Sequence, residues 1–184
     1  MILYINACVR EESRTRRLTE KLIETMEGSV EEVRLADLTF PQTTESFLAH
    51  RDELIADEQF DVSMFDLARQ FAAADQIIIA APYWDLSFPA ALKQYFEQIN
   101  VVGITFKYSP EGIPVGLCHA SKLYYVMTAG GNYVPEEFGF GYVKALAQGF
   151  YGIGEVELIK AIGLDIVGAD AEGILSEACR NIMK

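Results

Sequence analysis

The chain has 184 residues, and its 15 basic and 27 acidic side chains give a formal net charge of −12 at pH 7. Its composition, 51% apolar and 23% charged, is typical of a globular protein, and the length suits one domain over residues 1–184. The acidic excess argues against nucleic acid or an anionic membrane as partner, since both bind basic surfaces. No apolar run is long enough to span a membrane. An odd number of cysteines, 3, predicts free thiols and a cytoplasmic protein.

Along the chain, short β-rich runs alternate with longer stretches of helical spacing, which is typical of βα units around a parallel sheet. Five strands are predicted, at Ile2 to Asn6, Val30 to Leu35, Gln76 to Ala81, Lys122 to Thr128 and Val156 to Ile162. Helices are predicted at about Thr15 to Glu27, Val62 to Phe71, Phe88 to Ile99, Pro135 to Leu146 and Ala171 to about Met183. The pattern therefore predicts an α/β fold with a parallel five-stranded sheet.

Two segments fit this alternation badly. They run from Thr39 to Gln59 and from Val101 to Ser121, and both are longer than an ordinary loop. Such insertions are often lids or partner-binding segments. The second mixes glycine and proline with apolar residues, which predicts an irregular but folded segment.

Ligands of an open parallel sheet bind at the carboxyl ends of its strands, so the loops after the strands carry the candidate site. The first loop has no glycine, which excludes the glycine-rich dinucleotide and phosphate loops. It places Ser13, Arg14 and Thr15 at the start of a helix, where hydroxyl and free N–H groups make an anion site. A plain helix cap at Ser13 with solvated arginines is the alternative.

The loop after the third predicted strand contains Tyr83 and Trp84, which could cover a flat ligand or pack in the core. Ser87 followed by Pro89 predicts an N-cap and the first turn of a helix. The fourth strand ends in Thr128-Ala-Gly-Gly131, where the glycines permit positive φ and close approach of a ligand, or form a plain turn. No metal site is predicted, because the two histidines lack ligand spacing.

These three loops together resemble the FMN-dependent NAD(P)H:quinone oxidoreductase and azoreductase family, whose members are flavodoxin-like homodimers. The resemblance rests on Ser13-Arg-Thr15, on Pro82-Tyr-Trp-Asp-Leu-Ser-Phe-Pro89 and on Thr128-Ala-Gly-Gly131. The segment Gly103-Ile-Thr-Phe-Lys-Tyr108 is similar to the insertion after the third helix of that family. The resemblance implies a flavodoxin-like three-layer sandwich with helices on both faces of the sheet.

The resemblance also implies a set of site residues. Ser13, Arg14 and Thr15 would hold the FMN phosphate, and Pro82, Tyr83, Trp84 and Asp85 would run along the flavin ring. The remaining cofactor contacts would come from Cys8, Thr128, Ala129, Gly130 and Gly131, the two glycines through backbone N–H. Phe106, Trp84 and Tyr133 would bind substrate, Phe106 in the site of its own chain or of a partner subunit. Two departures from the family are Cys8, near a common serine, and Asp85, in place of a common asparagine.

The implied activity is ping-pong transfer of two electrons, in which NAD(P)H gives a hydride to the flavin, leaves, and is replaced by a quinone or azo acceptor. No side chain need act as acid or base. Two alternatives stay open. One is a flavodoxin-type carrier of single electrons that does not oxidise NAD(P)H, which the net charge of −12 would suit. The other is a binding module of the same fold without flavin.

Overall fold

A computed structural model describes residues 1–182. Its strands are β1 (Ile2–Asn6), β2 (Val30–Arg34), β3 (Gln76–Ala80), β4 (Phe106–Tyr108), β5 (Pro114–Gly116), β6 (Lys122–Thr128) and β7 (Glu155–Ala161). Its α-helices are α1 (Arg14–Ile23), α2 (Glu45–Ala56), α3 (Asp66–Ala73), α4 (Ala90–Ile99), α5 (Phe140–Leu146) and α6 (Ala171–Ile182). Within residues 1–182, no helix is long and apolar enough to cross a membrane.

Five of the strands form one parallel sheet in the order β2-β1-β3-β6-β7. The five predicted strands are these five, each within one residue at either end. The chain steps from β1 to β2 in one direction and then crosses back to β3 on the other side of β1. A ligand crevice is expected at this reversal, outside the carboxyl ends of β1 and β3.

Helices cover both faces of the sheet, as predicted. Along β3, Ile77 and Ile79 contribute to one core, and Ile78 contributes to the other, because successive strand residues point to opposite faces. The larger core lies under α3, α4 and α5 and contains Phe71, Tyr95, Phe96 and Val143. The smaller core lies under α1 and α6 and contains Leu18, Leu22 and Leu175.

Helix α1 is shorter than predicted. It ends at Ile23 rather than near Glu27, because the Thr25 hydroxyl donates to the Leu22 carbonyl at 2.7 Å and the chain then turns through Gly28 at φ 120°. The last helix was predicted to reach about Met183, a residue that lies outside the described ones. Its described part, α6, starts at Ala171 as predicted.

The two segments that fit the alternation badly contain regular structure. Helix α2 lies within the first, and its N-cap, Thr44, accepts from the Phe47 amide at 3.2 Å. Only Leu54 of α2 is buried, so the helix had almost no apolar periodicity to detect. Strands β4 and β5 pair antiparallel within the second segment, which is thus less irregular than expected.

Three predicted helix starts are wrong. The helix predicted from Val62 begins with a 3₁₀ turn at Ser63–Phe65, and α3 starts only at Asp66. The segment from Pro135 begins with a 3₁₀ turn at Glu136–Phe138, and the α-helix starts only at Phe140. It continues after Leu146 as a π turn, Ala147–Tyr151. Ser87 does not cap α4, because its hydroxyl donates to the Phe138 carbonyl at 2.7 Å and the helix starts after Pro89.

Candidate functional site

A cavity of about 260 Å³ lies at the predicted reversal of winding, between the loops that follow β1, β3 and β6. Most of the cofactor contacts inferred from sequence line it. These are Ser13, Arg14, Thr15, Pro82, Tyr83, Trp84, Thr128, Ala129 and Gly130. The structure thus brings together segments that are more than 110 residues apart in the chain.

The first wall of the cavity is the start of α1. The Ser13 hydroxyl accepts from the Arg16 amide at 3.3 Å, which is the N-cap predicted as the alternative to an anion site. The cap uses only an acceptor lone pair of the Ser13 hydroxyl and not its proton, so the two interpretations are compatible. The backbone N–H groups of Arg14 and Thr15 have no acceptor among the described residues. Two free amides and a hydroxyl therefore face a region that suits an anion.

The arginines of this segment differ in their partners. Arg14 donates to the Leu164 carbonyl at 3.1 Å and to Asp165 Oδ1 at 2.7 Å. Arg16 donates to carbonyls of its own loop, and Arg17 pairs with Glu172. Arg10, which the sequence analysis did not single out, lines the cavity and has no ion pair within residues 1–182.

The hydroxyls of Thr15 and Thr128 lie 2.6 Å apart, and both side chains are buried. This hydrogen bond fixes the start of α1 to the carboxyl end of β6. One of the two hydroxyls is the donor, so the other retains a proton for a further acceptor.

The second wall is the loop after β3. Trp84 is 39% exposed, which excludes the core interpretation for this side chain. Tyr83 is half-buried, and its hydroxyl donates to the Pro135 carbonyl at 3.3 Å. Burial raises the pKa of Tyr83 above its ordinary value, so the phenol stays protonated at neutral pH. An aromatic pair therefore borders the cavity without supplying a base.

A tight turn follows Trp84. The amide of Trp84 donates to the Ser87 carbonyl at 3.1 Å, and the amide of Ser87 donates back at 2.8 Å. Asp85 and Leu86 have φ of 50° and 68°, the left-handed pair of a type I′ turn. Asp and Asn tolerate this conformation, so the departure at Asp85 keeps the backbone requirement while adding a charge. Asp85 lies at the turn, outside the cavity lining.

The third wall is the loop after β6, whose carbonyls are held by the loop after β7. The carbonyls of Ala129, Gly130 and Gly131 accept from the amides of residues 164, 165 and 163 at 3.2, 2.9 and 3.1 Å. The amides of Gly130 and Gly131 have no acceptor in the part of the chain that the structure describes. Neither glycine has positive φ, so conformational freedom does not explain them. A Cβ on Gly130 would meet the Asp165 carboxylate, so a larger residue at this position would displace that side chain.

Five residues inferred from the resemblance lie outside the cavity lining, which are Asp85, at the turn described above, and Cys8, Phe106, Tyr133 and Gly131. Cys8 is buried beneath the first loop with Sγ 3.9 Å from the Ala80 carbonyl, and burial raises the pKa of its thiol. Phe106 is buried against Phe150, with ring centres 4.9 Å apart. Tyr133 is 80% exposed, and Gly131 stands next to the lining without joining it.

Sequence reasoning missed four lining residues, which are Val9, Arg10, Glu12 and Asp165. Asp165 lies in the loop after β7. Ligands of a parallel sheet bind at the carboxyl ends of its strands, so this loop was also a candidate. The loop after that strand has no glycine pair and no aromatic cluster beside a helix start, so no local signal points to it.

The whole chain matches known proteins. The profile of a family described as having the flavodoxin-like fold matches residues 1–184. A Clostridium perfringens protein named FMN-dependent NADH:quinone oxidoreductase is 37% identical over 185 residues, which cover 96% of this chain and 92% of the relative. This chain belongs to that flavodoxin-like oxidoreductase family. A Clostridium acetobutylicum member, FMN-dependent NADH:quinone oxidoreductase 2, is 39% identical over 187 residues, 95% of this chain and 92% of its own length.

Solved structures agree with this family assignment. The crystal structure of azoreductase AzrA has a TM-score of 0.82 and 26% identity, covering 98% of this chain and 96% of its own. An azoreductase from Bacillus anthracis has a TM-score of 0.81 and 25% identity, covering 98% and 95%. The predicted family and the flavodoxin-like three-layer architecture are therefore confirmed, and the relatives are enzymes, as expected.

Proposed function

We propose that this chain is an FMN-dependent oxidoreductase that transfers two electrons from NADH to a quinone, azo compound or similar flat acceptor. The observation that carries the proposal is the cavity at the reversal of winding, lined by nine of the residues that the resemblance assigned to FMN. The names of relatives that match over 96% and 95% of the chain support the same activity.

The chemistry of the cavity fits FMN. The free amides of Arg14 and Thr15, with the Ser13 hydroxyl, suit a phosphate. Arg10, which forms no ion pair with any residue from 1 to 182, adds a cation at the same wall. Tyr83 and Trp84 offer flat surfaces to a ring. The free amides of Gly130 and Gly131 suit the oxygen and nitrogen acceptors at the edge of a flavin ring.

The protein's part in the reaction is to bind and orient. The chemistry that FMN supplies when bound is acceptance of a hydride and delivery of two electrons to an acceptor. Donors fixed at the ring edge stabilise negative charge that develops there, and those of Gly130 and Gly131 are held by carbonyl bonds to the loop after β7. Because the same aromatic-bordered cavity serves both reactants, we infer that NADH and the acceptor bind in turn, which is a ping-pong mechanism.

The second candidate, a one-electron carrier of the flavodoxin type, has the net charge of −12 in its favour. The antiparallel pair β4–β5 argues against it, because a monomeric carrier has no evident need for this insertion. The named enzymes among the relatives argue against it as well.

A homodimer and a cytoplasmic location belong to the same proposal. Leu86, Tyr133 and Phe138 are exposed apolar side chains beside the cavity, and a second copy would cover them. The three cysteines are free thiols, which supports a reducing compartment. Sedimentation of the purified chain at twice the monomer mass would support the dimer, and a monomer at micromolar concentration would overturn it.

The test is a visible absorption spectrum of the purified chain before and after FMN reconstitution, followed by anaerobic NADH and, separately, NADPH. Bleaching of bound flavin by NADH is the expected result. Recovery of the colour by a quinone after NADH is removed would support the ping-pong order. Bound flavin that neither nucleotide bleaches would favour the carrier, and failure to bind FMN would overturn both candidates.

A further inference from the structure

The Asp165 carboxylate lies at the edge of the cavity and is hydrogen-bonded from α1. Its Oδ1 accepts from the Arg14 guanidinium at 2.7 Å, and the same guanidinium donates to the Leu164 carbonyl at 3.1 Å. The Asp165 amide donates to the Gly130 carbonyl at 2.9 Å. Its side chain is thus fixed from α1 and its backbone from the loop after β6, although the side chain is 65% exposed.

The second carboxylate oxygen, Oδ2, is free. It accepts from no donor among residues 1–182, and it fills the space that a Cβ on Gly130 would take. Asp165 also lines the cavity. An oriented acceptor with unused lone pairs therefore stands in the cavity wall beside the free Gly130 amide.

The sign of this charge restricts its ligand. A carboxylate repels a phosphate, so the phosphate is better placed at the free amides of α1 and at Arg10. A carboxylate attracts hydroxyl donors, and charge-assisted O–H···O⁻ bonds are among the strong ones. In FMN, hydroxyl groups occur on the ribityl chain, which joins the phosphate to the ring.

We propose that Asp165 accepts a hydrogen bond from a ribityl hydroxyl of FMN, and that Arg14 is the positioning residue that orients its carboxylate. This assignment rests on the proposed function. It changes the role expected of Arg14, because each terminal nitrogen of its guanidinium donates one hydrogen bond to the loop after β7, which holds the side chain against that loop. Arg14 then meets the phosphate through its backbone N–H, and its side chain acts through Asp165.

Three ligands separate these roles, since riboflavin lacks the phosphate and lumiflavin lacks both the phosphate and the ribityl chain. The full chain stripped of flavin is titrated with each ligand, and quenching of flavin fluorescence gives the Kd. Asp165→Ala should raise the Kd of FMN and of riboflavin by about tenfold and leave that of lumiflavin unchanged. Arg14→Ala should weaken the binding of FMN and riboflavin in the same way. The double variant should have Kd values no higher than those of Asp165→Ala alone.

The chain offers a matched control in the pair Arg17–Glu172, which also joins α1 to the segment after β7. The Glu172 side chain is 67% exposed, close to that of Asp165, and it does not line the cavity. Glu172→Ala should leave all three Kd values unchanged. Asp165→Asn keeps an acceptor oxygen without the charge and should fall between wild type and Asp165→Ala. Thermal unfolding followed by circular dichroism verifies that each variant is folded.

Several outcomes would overturn the assignment. Weaker binding of FMN but not of riboflavin by the Arg14→Ala variant would show that the Arg14 guanidinium binds the phosphate. An equal loss for all three ligands in Asp165→Ala would show a merely structural role. Unchanged FMN and riboflavin binding in Asp165→Ala would overturn the assignment while leaving the proposed function intact. A wild-type chain that binds no flavin would overturn both.

Discussion

The hydroxyl groups of Thr15 and Thr128 form a buried hydrogen bond of 2.6 Å that joins the first turn of α1 to the last residue of β6. Two walls of the cavity are therefore joined by one buried polar contact. Each threonine depends on the other, because a buried hydroxyl without a partner is costly.

Replacing one threonine should destabilise the protein by more than half of what replacing both does. Thr15→Val or Thr128→Val leaves one buried hydroxyl unpaired, at a cost of about 1–3 kcal/mol in the free energy of unfolding. The double variant removes both hydroxyls and should cost less than the sum of the two single changes. Urea unfolding of the four proteins measures this, and strict additivity would show that the two hydroxyls do not interact.

Ser13→Ala should affect both stability and cofactor binding. Loss of the cap on α1 should cost about 1 kcal/mol in the free energy of unfolding. If the Ser13 hydroxyl also donates to the FMN phosphate, the Kd of FMN should rise while that of riboflavin stays the same. An FMN Kd equal to the wild-type value would mean that Ser13 is a cap and nothing more.

The two glycines after β6 should respond differently to alanine. Gly130→Ala places a Cβ against the Asp165 carboxylate, so the contact between Arg14 and Asp165 should be displaced and FMN binding weakened. Gly131→Ala meets no atom within 4 Å and is the matched control. FMN titration compares the variants. Similar Kd values for both would indicate that space at residue 130 does not matter to the site.

Leu86→Gly should raise the melting temperature. Leu86 has φ of 68°. This left-handed conformation costs a residue with a Cβ atom about 1–2 kcal/mol in the free energy of folding, and it costs glycine almost nothing. Leu48 is a suitable contrast, because it is similarly exposed but lies in α2, where glycine should lower stability by about 1 kcal/mol. Thermal unfolding tests both, and a drop for Leu86→Gly would show that its side-chain contacts outweigh the backbone strain.

Cys118 should resist alkylation in the folded protein. Burial raises the pKa of its thiol from 9.0 to about 12, so the thiolate fraction at pH 8.5 is very small. The folded state holds this proton more tightly than the unfolded state. Its contribution to stability is therefore complete below about pH 9 and is lost as the pH rises toward 12. Mass spectrometry after iodoacetamide treatment at pH 8.5 should find Cys118 modified only in urea.

Strands were predictable from the sequence because buried parallel strands are short, continuous apolar runs such as Gln76–Ala80. Helix α2 was not, since its one buried residue, Leu54, leaves no periodic face. Ser13 and Ser87 both had cap-like surroundings, yet only Ser13 caps a helix. Ser87 bonds instead to Phe138, which lies 51 residues away, and such a tertiary contact has no local signature.

Some site residues, like some elements of the fold, had a local signal in the sequence, and others had none. The start of α1 and the glycines after β6 carry local signals, a hydroxyl before a helix and paired glycines after a strand. The role of Arg14 depends on Asp165, 151 residues away, and only the folded sheet brings the two together. Arg14 lines the cavity, its expected contact with the FMN phosphate stays a prediction, and the partner of its side chain had no signal in the sequence.

The outer strands β2 and β7 bear on how copies of this chain can meet. Both edges carry exposed acidic side chains, at Glu31 and Glu32 on β2 and at Glu155 on β7. Charged side chains on an edge strand disfavour pairing with another strand, so growth of the sheet from one molecule into the next is disfavoured, which protects a concentrated solution from edge-to-edge aggregation. In the proposed homodimer, association would therefore use the apolar side chains beside the cavity rather than the strand borders.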